Sequence, residues 1–343
     1  MQLSYAGGFK DAAREVGELE RAGLDVVWVA EAYGFDAPSF MGYLAATTQR
    51  VEIGSGIVNI YTRTPTVLAM TAAGVDYLSE GRAILGLGAS GPQVIEGFHG
   101  VAYDKPVART REIVDICRRV WRREVLVNDG LYQIPLPPDR GTGLGKALKL
   151  ITKPVRERIP IYLASLGDKN VQLTAEVAEG WLPILFVPER AGKVWGQALA
   201  AGRAKRDPGL GPLETVAGGM VAVVDDPVEA AGLRDLARPM IALYVGGMGA
   251  RGQNFYNSLA RRYGFEAEAQ DIQDLYLDGK KAEAAAAVPA ELLELTNLVG
   301  SEAYIKDRLA AFDDAGVTCL NVLPLAPDKV KLVEQLRSWV DAL

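Results

Sequence analysis

Two glycine-rich corners and one strand-end carboxylate carry most of the chemistry in this sequence. The first corner is GRAILGLGASGPQVIEG, Gly81–Gly97, where an apolar strand at Ala83–Leu87 runs into a glycine-rich turn and a helix start. Such a turn aims several backbone N–H groups one way and suits an anion such as a phosphate. Its spacing meets neither GxxxxGK[ST] nor GxGxxG, and a tight strand-to-helix connection needs glycine even when it binds nothing. The second corner is IGSGIVNIYTRTP, Ile53–Pro65, where a strand over Val51–Ile57 ends in Gly-Ser-Gly-Ile and tolerates close backbone approach or a bulge. Glu31 follows the strand Val26–Ala30 in WVAEAYGFD. A carboxylate there accepts a hydrogen bond from a ring or assists proton transfer; the alternative is a helix cap or salt bridge. Tyr33 and Phe35 behind it either wall a ring or pack as core aromatics.

Other chemistries lack their residues. The single histidine, His99, has no visible partner and reads as structural. Cys117 and Cys319 are far apart in apolar patterns, so one His and two separated Cys make no zinc constellation, and no metal site is expected. No Ser–His–Asp arrangement is suggested. With 49% hydrophobic and 23% charged residues the 343-residue chain reads as a globular enzyme, and its net charge of −6 argues against nucleic-acid or anionic-membrane partners. No apolar run reaches membrane length, no leader pattern opens the chain, and a cytoplasmic protein with a small-molecule substrate is expected. One segment runs against the acidic balance. Arg140–Arg158 holds Arg140, Lys146, Lys149, Lys153, Arg156 and Arg158 against Glu157. It either addresses an anionic tail or forms a solvated face.

Short apolar strands alternating with amphipathic helices must position these groups. Strands are expected at Gln2–Tyr5, Val26–Ala30, Val51–Ile57, Ala83–Leu87, Ile161–Ala164, Gly180–Ile184, Glu214–Val223 and Val317–Leu323. Helical spacing links Val107, Ile113, Val114, Cys117, Val120 and Trp121, and again Leu332, Val333, Leu336 and Val340. Eight strands fit an α/β fold of the (β/α)8 TIM-barrel type, one domain over 1–343 with insertions at about 122–158 and 250–299. The rival, a doubly wound sheet, binds nucleotide at its first βα turn, and here that turn, Ala6–Lys10, is only a modest Gly-Gly.

Taken jointly, these corners and WVAEAYGFD, with GTGLGKALK at Gly141–Lys149, IPIYLASLGDKN at Ile159–Asn170, EGWLPILF at Glu179–Phe186 and ALYVGGMG at Ala242–Gly249, resemble the bacterial luciferase-like superfamily. Within it they resemble the actinobacterial branch that uses the deazaflavin coenzyme F420. The resemblance implies a luciferase-like barrel and an oxidoreductase that moves a hydride with F420. An FMN-dependent monooxygenase fed by a separate reductase is the alternative, and a flavin-binding barrel without catalysis a third reading. The resemblance also implies residue roles. Glu31 maps onto an acid near the ring, Gly56–Ile57 onto a non-prolyl cis peptide behind it, and Asn59 onto a contact at the ring edge. Ala89, Ser90 and Gly91 map onto backbone packed against the ribityl and phosphate portion. Leu166, Gly167, Lys169 and Asn170 map onto the helix start that holds the phosphate. Where relatives often show Gly-Gly-Pro this chain has Leu166, Gly167 and Asp168, and the Asp168 carboxylate either caps the helix or opposes a phosphate. The substrate is expected over the ring, flanked by Tyr33, Phe35, Trp181 and Phe186, with Tyr244 or Met248 nearby. Their apolar character points to a hydrophobic alcohol, carbonyl or enone. The family's sugar-phosphate dehydrogenases carry a His after the strand-two acid and a Glu in the strand-four loop. Ala32 and Gly91 stand there instead, which argues against glucose-6-phosphate as substrate. Similar proteins are commonly homodimers, so a homodimer is expected.

Overall fold

A computed structural model describes residues 1–3 and 7–343. Eight parallel strands follow one another around a single sheet: β1 Gln2–Leu3, β2 Val26–Val29, β3 Glu52–Ser55, β4 Ala83–Gly88, β5 Ile161–Ala164, β6 Gly180–Trp181, β7 Glu214–Ala217 and β8 Cys319–Leu320. The Gln2 N–H donates to the Val322 carbonyl at 3.3 Å and joins the two ends of the sheet. This is the expected barrel, not a doubly wound sheet. Ser4 and Tyr5 of the expected first strand, and Ala6 of the first turn, lie outside the described residues.

The barrel interior is filled by a few large side chains facing glycines. Trp28, Ile84, Tyr162 and Val216 form a separate buried cluster, with the Trp28 and Tyr162 rings 5.4 Å apart. A Cβ at Gly54 would lie 2.3 Å from the Trp28 ring, and one at Gly180 would lie 2.3 Å from the Tyr162 ring. Glycine at these two positions makes room for the bulky residue on the neighbouring strand, which lets a small barrel close around two aromatics. The larger core lies between sheet and helices, with Leu19, Phe40, Leu44, Leu68, Trp121 and Trp195 fully or almost fully buried.

Helices α1 Phe9–Arg21, α2 Ala37–Thr47, α3 Pro65–Leu78, α4 Pro92–Gly97 and α5 Pro106–Trp121 connect the first half. Two of them start where the sequence supplies both a cap and an early proline. The Asp36 carboxylate accepts from the Ser39 N–H at 3.0 Å ahead of Pro38, and the Thr64 hydroxyl accepts from the Val67 N–H at 3.3 Å ahead of Pro65. Those caps fix where each loop leaves the barrel mouth.

Three expectations change. The strand expected over Val51–Ile57 stops at Ser55; after Gly56–Ile57 the chain resumes as Val58–Asn59, which pairs with β4. The last two strands are each broken. Past β7, Gly218 and Gly219 admit the crossing backbone, since Cβ atoms there would lie 2.3 Å from the Asn321 carbonyl oxygen and 2.1 Å from that of Thr296. Met220–Val223 then joins a second sheet between Leu298–Gly300 and Leu323–Pro324. The insertion expected at about 250–299 therefore holds four helices, from Phe255 to Thr296, and ends in a buried strand. The connector over 122–158 carries a small hairpin, Asn128–Asp129 with Gln133–Ile134, whose turn is held by the Glu112 carboxylate accepting from the Leu131 and Tyr132 N–H groups at 2.9 and 2.8 Å.

Replacing Gly54 by alanine is expected to cost about 1–3 kcal/mol, since the Trp28 ring has no space to retreat. Gly17→Ala, in α1 with open space around it, is expected to gain about 0.5–1 kcal/mol. Urea unfolding monitored by circular dichroism measures both.

Candidate active site at the barrel mouth

The C-terminal ends of barrel strands gather the βα loops, and three of the six non-glycine residues with left-handed φ among the described residues lie there. Ala32, Ser90 and Leu185 adopt left-handed φ of 47°, 55° and 53°, just past β2, β4 and β6. Non-glycine residues hold that conformation at a cost and cluster at functional sites.

Glu31, past β2, is buried and fully engaged. Its Oε1 accepts from Arg63 Nη1 at 2.8 Å, and its Oε2 accepts from Arg63 Nη2 at 2.8 Å and from the Ala37 N–H at 3.0 Å. The carboxylate thus spans two loops and the start of α2. Of the two roles open to Glu31, the salt bridge is the one formed within the protein. Hydrogen bonding to Glu31 raises the Arg63 pKa above its usual value. Arg63 escaped the sequence reading although it stands in the second glycine corner; its signal was a lone cation in YTRTP between polar residues.

The loop that delivers Arg63 is shaped by its own residues. The Gly56–Ile57 peptide is cis. The Ile57 side chain covers Gly88, where a Cβ would lie 3.0 Å away. The Ser55 hydroxyl donates to the Gly86 carbonyl at 2.8 Å and accepts from the Gly86 N–H at 2.9 Å, clamping β3 to β4. Asn59 is buried, and its Oδ1 accepts from the Tyr61 and Thr62 N–H groups at 3.1 and 3.0 Å. It bends the chain toward Arg63 by a side-chain turn. Tyr61 donates to the Asp104 carbonyl at 3.0 Å, and burial raises the pKa of its phenol and of the neighbouring Tyr103 phenol.

A second cradle lies across β4 and β5. A Cβ on Gly91 would meet nothing within 4 Å, so space is open at the end of the Ala89–Ser90–Gly91 turn. Helix α6, Asp168–Val177, starts at Gly167, which offers no side chain to cap it; the Asn170 N–H donates to the Gly167 carbonyl at 2.9 Å, and the Asp168 and Lys169 amides are left for an outside acceptor. The Asn170 Oδ1 is buried without a partner. Asp168 does not stand as a bare negative charge: Arg262 pairs with it at 2.9 Å. Open backbone at Gly91 and the uncapped Asp168 and Lys169 amides fit a phosphate-bearing flavin-type ligand.

The four aromatics expected around a substrate separate into two pairs. Tyr33 and Phe35 are 60% and 63% exposed at the mouth, beside Phe98 and Phe9 with ring centroids 5.9 and 5.6 Å away. Trp181 and Phe186, at 1% and 2% exposure, are inside the core and do not wall an open site. They pack with Trp195, whose ring is 5.1 Å from Trp181 and 5.8 Å from Phe186. Their place behind the cradle follows from their polar edges. The Trp181 indole N–H donates to the Ser165 carbonyl and that of Trp195 to the Leu166 carbonyl, both at 2.9 Å. The indoles thus anchor the turn that carries Gly167, Lys169 and Asn170.

The basic stretch also divides. Arg156 reaches buried Asp76 at 3.1 Å and the Ala83 carbonyl at 2.7 Å, and Arg158 reaches Glu179 at 2.8 Å. Both sit where β4 and β5 begin, opposite the mouth, so they do not address a ligand tail there; Lys146 and Lys149 are exposed. A hollow of 460 Å³ opens at that same far end, where Arg118, Arg122, Arg158 and Lys205 face Glu157, Glu176 and Asp207. Burial pushes the Cys117 thiol up to about 12 and leaves it unreactive. No group of His, Cys, Asp and Glu among the described residues could hold a metal.

Residues 1–319 match the family model described as luciferase-like monooxygenase. The chain belongs to the luciferase-like monooxygenase family. A Mycobacterium tuberculosis protein that bears the provisional name coenzyme F420-dependent oxidoreductase is 41% identical over 96% of this chain and 96% of its own. The 5,10-methylenetetrahydromethanopterin reductase of Archaeoglobus fulgidus is 27% identical over 92% of this chain and 90% of its own. Among solved structures, the coenzyme F420-dependent tetrahydromethanopterin reductase of Methanopyrus kandleri superposes with a TM-score of 0.78 at 20% identity, covering 100% of this chain and 97% of its own. That likeness gives the luciferase-like barrel its independent support.

Trp195→Phe keeps a ring in the core and removes the donor to Leu166. It is expected to lower stability by about 1–3 kcal/mol and to speed amide exchange over residues 165–171, read by hydrogen–deuterium exchange mass spectrometry.

Proposed function

We propose that this chain is a coenzyme F420-dependent oxidoreductase that passes a hydride between the deazaflavin and a hydrophobic alcohol, carbonyl or enone. The observation that carries the reading is the 41% identity, across nearly both full lengths, to the M. tuberculosis protein of that name. When bound, the deazaflavin supplies a ring carbon that gives or takes a hydride. The chain's own residues bind, orient and exclude water. Ser90, Gly91 and the α6 start with Lys169 and Asn170 hold the phosphate portion. The Gly56–Ile57 bulge backs the ring, Asn59 meets its edge, Leu166 and Gly167 complete the phosphate-holding turn, and Glu31 ties the loops beside the ring. Tyr33 and Phe35, with Phe98, form an exposed apolar wall that shields an uncharged substrate from water. This wall, rather than Trp181 and Phe186, supports a hydrophobic substrate class.

In this reading the protein is one domain and a homodimer. The face of α2 and α3 exposes Tyr43, Met70, Tyr77 and Leu78, more apolar surface than a lone helix pair ordinarily leaves to water. The two thiols are unpaired, which suits a reducing cytoplasm. Light scattering of Tyr77→Glu/Leu78→Glu is expected to give the mass of a monomer where the native protein gives twice that.

Fluorescence titration tests the cofactor. The deazaflavin is expected to bind at least about tenfold more tightly than FMN, and the loaded protein to turn over cyclic ketones or enones in preference to sugar phosphates. Tighter FMN binding with oxygen consumption would replace this reading by the monooxygenase one.

A further inference from the structure

We propose that Arg63, not Glu31, is the polar side chain that meets the reacting ligand, and that it donates to the substrate oxygen on which negative charge develops. The inference deepens the hydride-transfer reading above and rests on it for its catalytic meaning.

The Glu31 carboxylate has little left to offer. Three donors occupy it, two from Arg63 and one from the Ala37 N–H. Its side chain is 9% exposed against 18% for Arg63. A guanidinium carries five N–H donors in a planar fork, and the carboxylate takes two of them. The other three have no acceptor among the described residues. Burial against the carboxylate fixes the plane of the fork, so the spare donors are aimed before any ligand arrives. They sit at the C-terminal mouth, on the loop that begins with Gly56–Ile57 and turns at Asn59.

The reaction supplies an acceptor for them. When a hydride and its electron pair add to a carbonyl carbon, the C=O π pair moves to oxygen. The donor is oxidised by two electrons, and the oxygen takes a proton from solvent to become the alcohol. A fixed cation beside that oxygen stabilises the developing charge more than the neutral carbonyl, which is the condition for lowering a barrier. Glu31 is then a positioning residue that acts through Arg63. Asp36, which also faces Arg63 electrostatically, lies on the same loop as Glu31 and adds to its hold.

The test uses p-nitrophenolate, an oxyanion on an apolar ring whose visible absorption reports its ionisation. The native protein is expected to bind it as the phenolate. Arg63→Ala is expected to weaken binding about 10- to 100-fold, the range for one hydrogen bond to a charged group. Arg63→Lys should restore part of that, and Glu31→Gln should lose less than Arg63→Ala. Carbonyl reduction by the loaded enzyme should follow the same order in kcat, with deazaflavin affinity little changed. Equal p-nitrophenolate binding in the native protein and Arg63→Ala would overturn the proposal, as would a Glu31→Gln loss equal to that of Arg63→Ala. A deazaflavin affinity that collapses in Arg63→Lys would overturn it too, placing the guanidinium on the cofactor. If the native protein bound p-nitrophenolate through Arg63 but took no deazaflavin, the functional reading would fail while the oxyanion site stood.

Discussion

The barrel depends on a steric exchange at its centre. Trp28 and Tyr162 project into a lumen that cannot hold large residues on every strand, and Gly54 and Gly180 yield the space they need. The exchange lets β2 pair with β3 and β5 with β6 around the two rings, and so steadies the strand ends above them. Glu31 stands just beyond β2, and the loop ending in Arg63 leaves β3. A fork with both N···O distances at 2.8 Å requires those strand ends to be fixed to within a fraction of an ångström. The site geometry is therefore set from below, by packing that touches no ligand.

The same logic governs the other half of the mouth. The turn after β5 carries the uncapped helix start, and its carbonyls at Ser165 and Leu166 would be free to twist. Two buried indoles hold them, and the indoles are themselves fixed against Phe186 and, through it, Phe312. Aromatic residues with one polar edge suit this task, since the ring fills the core while the N–H reaches the rim. What a large apolar side chain does near a site thus depends on whether it lies under the loop or over it.

Much of this was legible in the sequence. Apolar runs of strand length separated by helical periodicity gave the eight barrel strands, and glycine spacing marked both corners. The Asp168 question had an answer only in three dimensions, because Arg262 lies ninety-four positions downstream (262 − 168). Trp181 and Phe186 were misplaced for a related reason. Strand and loop aromatics alternate between lumen, core and rim, and one residue of uncertainty in where a strand ends exchanges those surroundings. The expected strand over Gly180–Ile184 ends at Trp181, which is enough to turn an expected wall into a strut. For the basic run over Arg140–Arg158 the sequence leaves two roles open, a tail-binding patch or a solvated face, and side chains reach far: Arg156 and Arg158 bend back to Asp76 and Glu179 at the opposite end of the barrel.

Sorting the polar groups at the mouth by what they have left to give shows a bias in sign. Acceptors are mostly used. Glu31 takes three donors, the Asn59 Oδ1 takes two, and the Ser165 and Leu166 carbonyls take the indole N–H groups. Donors remain: the Asp168 and Lys169 amides of α6 and the spare N–H groups of Arg63. The one exception is the Asn170 Oδ1, a buried acceptor without a partner. A rim whose acceptors are mostly satisfied internally and whose donors are not is complementary to a ligand rich in oxygen acceptors, since burying unpaired donors against an apolar molecule would carry a desolvation cost with no return. The exposed aromatic wall of Tyr33, Phe35 and Phe98 sets the opposite demand on the other side. The mouth as a whole therefore favours a ligand pair in which phosphate or carbonyl oxygens meet one edge and an apolar body covers the other.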